Sequence, residues 1–286
     1  MGKKARKSSK KVRSSIAPIK KAESLFSDIP TIRMGAAEKI SWYFSHYNRL
    51  SLGSFIFLAS MYAMVAYYWR SIILTDNLKD PLLWSIWAFM TAILCWNIDA
   101  KRDLSRMAVG LVGGLMIEAW GTQTSIWTYY TNERPPLWII PAWPVAAIAI
   151  DRIARMIDLL CSQLPLEKLW WIIVFGFTLL MANFVWPYLD KWTTIGAFAI
   201  VIATFVMPGD RRQDVTLMLA GAGLGVFLEY WGTSRQCWIY YTHEVPPVFA
   251  VFAHGIAAIS FQRGAVILLS FIENFKSWLK KDAEVA

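Results

Sequence analysis

The feature that most limits the fold of this chain is a series of eight long apolar runs. A helix needs about 20 apolar residues to cross hydrocarbon roughly 30 Å thick, and in lipid each segment must satisfy its own backbone polar groups. We therefore predict an all-α integral membrane protein with about eight transmembrane helices. The runs cover about 53–74, 82–98, 104–121, 137–160, 168–188, 192–208, 214–231 and 247–272.

Two stretches of the sequence are copies of each other: residues 118–152, the first motif copy, and residues 229–263, the second motif copy. They are offset by 111 residues, and 16 of their 35 positions are identical without a gap. The identities are mainly polar, aromatic, glycine and proline residues, whereas the apolar positions between them differ. The same offset maps the first four runs onto the last four. An even number of helices per copy predicts two parallel four-helix repeats.

Lysine and arginine are concentrated at both ends and between alternate runs, which is typical of the cytoplasmic side of a membrane protein. We predict a multi-pass protein of the cell inner membrane with both termini in the cytoplasm. Its parts are a basic cytoplasmic arm and interfacial segment (1–50), a first repeat (53–160), a second repeat (164–272) and a cytoplasmic tail (273–286). The net charge of +9 then indicates contact with anionic membrane lipids, and we predict no nucleic-acid partner.

Glu118 and Glu229 are equivalent in the two motif copies and lie late in the third and seventh runs. An ionisable side chain at that depth is costly in hydrocarbon and by default indicates a functional site. We predict this pair to be catalytic. The alternative is a buried acid that hydrogen-bonds a neighbouring tyrosine, threonine or backbone group and only fixes the packing.

Aromatic residues surround each acid and are predicted to line a pocket that binds substrate. In the first copy these are Trp120, Trp127, Tyr129, Tyr130 and Trp143, and in the second they are Trp231, Trp238, Tyr240, Tyr241 and His254. An interfacial belt of tryptophan and tyrosine is the alternative interpretation. Because Trp143 is matched by a histidine, proton transfer should concentrate in the second copy.

Short polar signals predict where helices begin and end. Gly121 and Gly232 are expected to stop their helices, since glycine readily adopts the left-handed conformation of a helix end. Asp99 and Asp210 open matching polar segments that should cap the next helix. No metal site or cofactor is predicted, because the three histidines and three cysteines show no ligand spacing.

One further pattern bears on function. The first copy carries Glu118, Gly121, Thr124, Trp127 and Tyr129 at short fixed spacings, followed by Pro136-Leu137 and Pro141-Ala142-Trp143. This pattern resembles that of carotenoid-modifying polytopic membrane hydratases, over about 30 residues in each copy. The resemblance implies a late-helix acid, a tyrosine-rich loop and a proline-led helix that ends in a tryptophan. Here Trp127 stands where that pattern has an aromatic-glycine pair, and Phe252 and His254 replace Pro141 and Trp143 in the second copy.

Three functions remain open. An enzyme would bind a lipophilic small molecule near the outer face and hydrate an isoprenoid or carotenoid by acid catalysis, with Glu118 or Glu229 adding a proton to an alkene. A proton-coupled transporter or lipid-handling carrier would use the same acids to couple protonation to movement. A non-catalytic membrane subunit or scaffold would dock a protein partner on its outer aromatic face.

Overall fold

The computed structural model describes residues 34–68 and 81–285, and these residues are mostly helical. The basic arm before residue 34 and the end of the first predicted run, 69–74, lie outside the described residues. The helices are α1 (Ala36–Ser45), α2 (Arg49–Tyr68), α3 (Pro81–Leu94), α4 (Ala100–Gln123), α5 (Ala142–Leu160), α6 (Trp170–Val185), α7 (Trp192–Val206), α8 (Arg211–Ser234) and α9 (Val248–Val285). Two short strands, β1 (Trp127–Tyr129) and β2 (Trp238–Tyr240), follow α4 and α8.

Within the described ranges, three helical segments are long and apolar enough to cross a membrane: Leu166–Tyr188, Arg211–Ser234 and Val248–Leu279. Arg49–Met64 and Trp192–Val206 are apolar but shorter. The prediction of a largely helical chain with membrane-compatible helices is therefore confirmed in this coarser form. The eight spans and the two four-helix repeats stay predictions.

The outer helices present apolar side chains outward. Ile172, Phe175 and Leu179 on α6 are all exposed, the last to 72%. Trp192 and Val206, near the two ends of α7, are also exposed. A surface with this many large apolar side chains is uncommon on a soluble monomer and marks a contact surface. It suits contact with lipid.

Helices α4, α5, α8 and α9 form the centre of the described structure, with α4 packed on α5, α8 packed on α5 and α9, and α9 packed on α4. Gly221 allows α8 to cross α9 closely, because a side chain there would begin 2.5 Å from the Cα atom of Gly255. Such contacts between small residues let helix backbones touch. Residues 273–285 of the predicted tail continue α9 as helix.

Charged residues in and next to the predicted apolar runs are buried in the bundle. The Asp103 carboxylate accepts from Arg152 at 2.6 Å, and the equivalent Asp214 accepts from Arg263 at 2.5 Å. Asp99 caps α4 by accepting from the backbone of residue 102, and Asp210 caps α8 by accepting from that of residue 212. The capping prediction is confirmed, and the two buried ion pairs occupy equivalent places in the two copies.

Replacing Asp214 with alanine should lower the free energy of unfolding by about 3–5 kcal/mol, because Arg263 would stay buried without its counter-charge. Chemical unfolding in detergent micelles, followed by tryptophan fluorescence, measures this loss. Asp190→Ala is the matched control, since Asp190 pairs with Lys191 on the exposed surface, where ion pairs contribute little. An equal loss of stability in both variants would contradict the buried role.

Candidate functional site

In each motif copy the helix continues past the glycine that was predicted to end it, and the chain leaves the helix at a later residue of left-handed conformation. Helix α4 runs on to Gln123 and α8 to Ser234, and the left-handed residues are Ser125 (φ 61°) and Gln236 (φ 55°). The prediction that Gly121 and Gly232 stop their helices is wrong. They lie inside the helices, where any side chain would overlap the indole ring of Trp127 or Trp238, respectively. Glycine is needed there because an indole packs directly on the helix backbone.

Strands β1 and β2 pair as an antiparallel ribbon that joins the two motif copies. Thr128 lies opposite Ile239, and Trp127 lies opposite Tyr240. Since Thr128 and Ile239 are equivalent under the offset of 111, the register centres on a local two-fold axis. The sequence predicts an aromatic pocket here but not this pairing, because three-residue strands are too short for an alternating pattern to show.

The Glu118 carboxylate lies at the end of α4 and is 4% exposed. It accepts hydrogen bonds from Trp127 Nε1 at 3.1 Å, from Trp143 Nε1 at 3.1 Å and from the Tyr129 hydroxyl at 3.0 and 3.1 Å. An indole nitrogen can only donate, and an ionised carboxylate can only accept. The surroundings of Glu118 therefore match a carboxylate.

The Glu229 carboxylate has equivalent surroundings with one change. It is 5% exposed and accepts from Trp238 Nε1 at 2.8 Å and from the Tyr240 hydroxyl at 3.1 Å. Its third partner is His254 Nε2 at 2.9 Å, at the position that Trp143 holds in the first copy. Imidazole can donate or accept a proton. Of the two carboxyls, only Glu229 therefore touches a ring that can exchange one.

Tyr129 and Tyr240 reach the carboxyls from the ribbon and are each 6% exposed. Burial, more than any other cause, raises the pKa of both phenols above the ordinary value for tyrosine. The two hydroxyls therefore keep their protons at physiological pH and act as donors to the acids.

The two acid clusters contact each other across the local axis. The ring of Trp143 stacks on that of His254, with centroids 5.9 Å apart and an interplanar angle of 23°. Trp127 lies against Tyr240 at 5.7 Å. The site is one continuous group of acids and aromatic rings to which both motif copies contribute.

A cavity of about 1000 Å³ lies against this group. Both carboxyls and His254 line it, and most of its remaining wall is apolar, for example Met181 and Phe249. A concave, mainly apolar cavity in which a few polar groups converge is the usual form of a small-molecule site. The cavity can therefore bind a lipophilic molecule against two buried carboxyls.

Most of the predicted site residues share this cavity. Besides both acids, the lining includes Trp120, Trp127, Tyr129, Trp143, Trp238, Tyr240 and His254. The other three predicted residues are not among those that line it. Tyr130 is exposed and packs on Trp138, and the Tyr241 hydroxyl donates to a carbonyl of α6. Trp231 lies beneath the Arg235 guanidinium.

Phe261 and Thr194 are among the residues of the site that sequence reasoning missed. Phe261 lines the cavity and meets Trp143 edge-on at 6.1 Å. The Thr194 hydroxyl accepts from Trp120 Nε1 at 3.1 Å. Phe261 is matched by an isoleucine in the first copy and Thr194 lies in an apolar run, so neither position carried a signal.

Among the described residues, no group of histidine, cysteine, aspartate and glutamate side chains could hold a metal ion. Comparison with models of known protein families finds no match, and comparisons with curated proteins and with solved structures find none either.

Proposed function

We propose that this chain is a multi-pass protein of the cell inner membrane that hydrates a carbon–carbon double bond of an isoprenoid lipid. The observation that carries the proposal is the convergence of two buried carboxyls, Glu118 and Glu229, on one large apolar cavity. An apolar cavity selects a lipophilic substrate, and a carboxyl beside it can transfer a proton. The resemblance to carotenoid-modifying hydratases names the same substrate class.

The proposed membrane arrangement is two parallel four-helix repeats, eight spans in all, with both termini in the cytoplasm. Equivalent contacts at Glu118 and Glu229, and equivalent ion pairs at Asp103 and Asp214, support the internal repetition. The exposed apolar faces of the outer helices support contact with lipid.

The reaction needs only a proton and a water. A carboxylic acid adds its proton to one alkene carbon, and the neighbouring carbon becomes a carbocation. The oxygen of a water molecule bonds to that carbon and releases a proton, which returns to the carboxylate. One water is added and the acid is regenerated, so no oxidant or reductant is needed.

The two acids have different hydrogen-bond partners, and we assign them different roles in the reaction for that reason. Glu229 is the proton donor, because His254 Nε2 at 2.9 Å can resupply or remove its proton. Glu118 is held by donors alone, and its role in the proposal is to stabilise the carbocation through its oxygens. The faces of Trp127 and Trp238 add to that stabilisation, since an aromatic face attracts positive charge.

The test is mass spectrometry of lipids and pigments extracted from cells that express the wild type, Glu118→Gln or Glu229→Gln at equal protein level. We expect the wild type to produce a species heavier than its precursor by one water, and both variants to lack it. Glu244→Gln, which changes an exposed glutamate of the second copy, is the matched control and should retain the product. Identical lipid profiles in all four strains would exclude the hydration.

A carrier is the second candidate, because both motif copies line the cavity. Carriers built from repeats place their site between the repeats and move one against the other. A carrier would accumulate a lipophilic substrate in vesicles only under a proton gradient and leave its mass unchanged. A hydratase would instead raise the mass of its substrate by one water and would need no proton gradient.

A further inference from the structure

The cavity that holds both carboxyls is elongated along the helices. On α4 its lining runs from Gln123 back to Ala108, which is about 22 Å of helix, since a helix rises about 1.5 Å per residue. On α9 the lining extends from Phe249 to Leu268. Glu118 lies towards the Gln123 end. About 15 Å of cavity therefore extends from Glu118 towards the start of α4, and we call this portion the deep part of the cavity.

The deep part of the cavity is apolar. Its wall is made of side chains of α4, α7 and α9, for example Val109, Ile117 and Val201. Ser260 is the polar exception among the described residues of this wall, and its hydroxyl donates to the carbonyl of Ile256 at 3.0 Å. A ligand in the deep part would bury hydrocarbon favourably and would find few groups with which to form hydrogen bonds.

The deep part opens sideways between α4 and α7. Val112 and Met116 of α4 and Ile200 of α7 line the cavity and are also 60%, 54% and 48% exposed. Side chains that line a cavity and also face outward mark its mouth. Nearer the ribbon the two helices are joined, because Trp120 Nε1 donates to the Thr194 hydroxyl at 3.1 Å. The mouth therefore lies on the side of the bundle, in the exposed apolar surface that suits contact with lipid.

We propose that one hydrocarbon chain of a membrane lipid enters the cavity through this mouth and lies in the deep part, with its double bond at the two carboxyls. Hydrocarbon roughly 30 Å thick contains two leaflets, so a chain about 15 Å long spans one leaflet and matches the length of the deep part. An extended peptide would not suit this wall, because its backbone donors and acceptors would find almost no partners there. The position of the double bond rests on the proposed function, whereas binding of the chain needs no reaction.

Gly196 of α7 keeps this mouth open. It lines the cavity, and a Cβ atom at this position would meet nothing within 4 Å. Leucine forms helices readily, so Gly196→Leu should fold and extend its side chain into the mouth. Gly176→Leu on α6 is the matched control. A Cβ atom there would also meet nothing within 4 Å, but Gly176 is not among the residues that line the cavity.

The test is photolabelling of the purified protein in detergent with a long-chain alcohol that carries a diazirine at the end of its chain. Mass spectrometry of peptides locates the labelled residues. In the wild type we expect saturable labelling in the deep part, for example at Val109 or Leu268, which an excess of unlabelled alcohol displaces. Gly196→Leu should reduce this labelling by at least about tenfold, and Gly176→Leu should retain it.

The proposal is overturned if the displaceable label lies only on outward-facing residues such as Ile172 or Leu179, or if Gly196→Leu is labelled as strongly as the wild type. The label position in the wild type decides the matter even if Gly196→Leu does not fold. Because labelling needs no reaction, this result is separable from the hydration. A label in the deep part together with unchanged lipid profiles would support the chain site and exclude the hydration. A hydrated lipid together with a label only on the outer surface would do the reverse.

Discussion

Replacing Glu229 with glutamine is expected to lower turnover of the proposed hydration by about 10²–10⁴-fold, the usual contribution of a general acid. Glutamine can still accept hydrogen bonds from Trp238 and Tyr240, so the ribbon should keep its place. The glutamine side chain has no acidic proton to give to an alkene, and it cannot take up a proton from His254. Initial rates of the purified protein in detergent, with an isoprenoid alkene as substrate, measure the loss.

His254→Trp separates the role of the His254 imidazole from that of the Glu229 carboxyl. Trp143 shows that an indole fits the equivalent position and donates to the equivalent acid, so this variant should fold. We expect its turnover to fall and its pH profile to lose the part that the imidazole contributes. Wild-type turnover in Glu229→Gln would rule out the acid role. An unchanged rate and pH profile in His254→Trp would show that the imidazole only fills space.

Gly232→Ala is expected to lower the free energy of unfolding by about 1–3 kcal/mol, the usual effect of an extra carbon in a packed interior. The new Cβ atom would overlap the indole ring of Trp238, and that ring must move away from Glu229. The variant should therefore lose turnover as well as stability. Chemical unfolding and initial rates, measured on the same preparation, test both effects.

Gly223→Ala is the matched control in the same helix, because a side chain there would meet nothing within 4 Å. Alanine favours a helix over glycine by about 0.5–1 kcal/mol, so this variant should be as stable as the wild type or slightly more so. If the two alanine variants unfold alike, Gly232 does not owe its role to the contact with Trp238.

The helices and the acids could be predicted because their physical causes are local. Each apolar run is contiguous in the sequence, and its hydropathy does not depend on its neighbours. Glu118 and Glu229 were evident because a carboxyl inside an apolar run is costly, and their exact offset marked them as a pair. Asp99 and Asp210 were recognised as caps because a cap bonds residues two or three positions away.

The ribbon and the buried ion pairs could not be predicted because they join residues far apart in the chain. Trp127 and Tyr240 meet only when both motif copies are in place. Gly121 was predicted to stop a helix from its local sequence, but the ring of Trp127 decides its role. Arg155 lies near the end of a predicted run, and nothing near it in the sequence indicates that its guanidinium packs over the ring of Trp96.

The sequence by itself determined that the chain is largely helical and has helices suited to a membrane. It also determined that the chain carries two equivalent acids with aromatic neighbours. Both follow from the sequence because hydropathy and repetition are properties of the linear chain. Only the tertiary structure decided that the two acids face one cavity and that Glu229, unlike Glu118, contacts an imidazole. It also decided that Tyr130, Trp231 and Tyr241 are not among the residues that line this cavity. Those outcomes depend on how the two copies pack across their local axis, and no segment of the sequence specifies that packing alone.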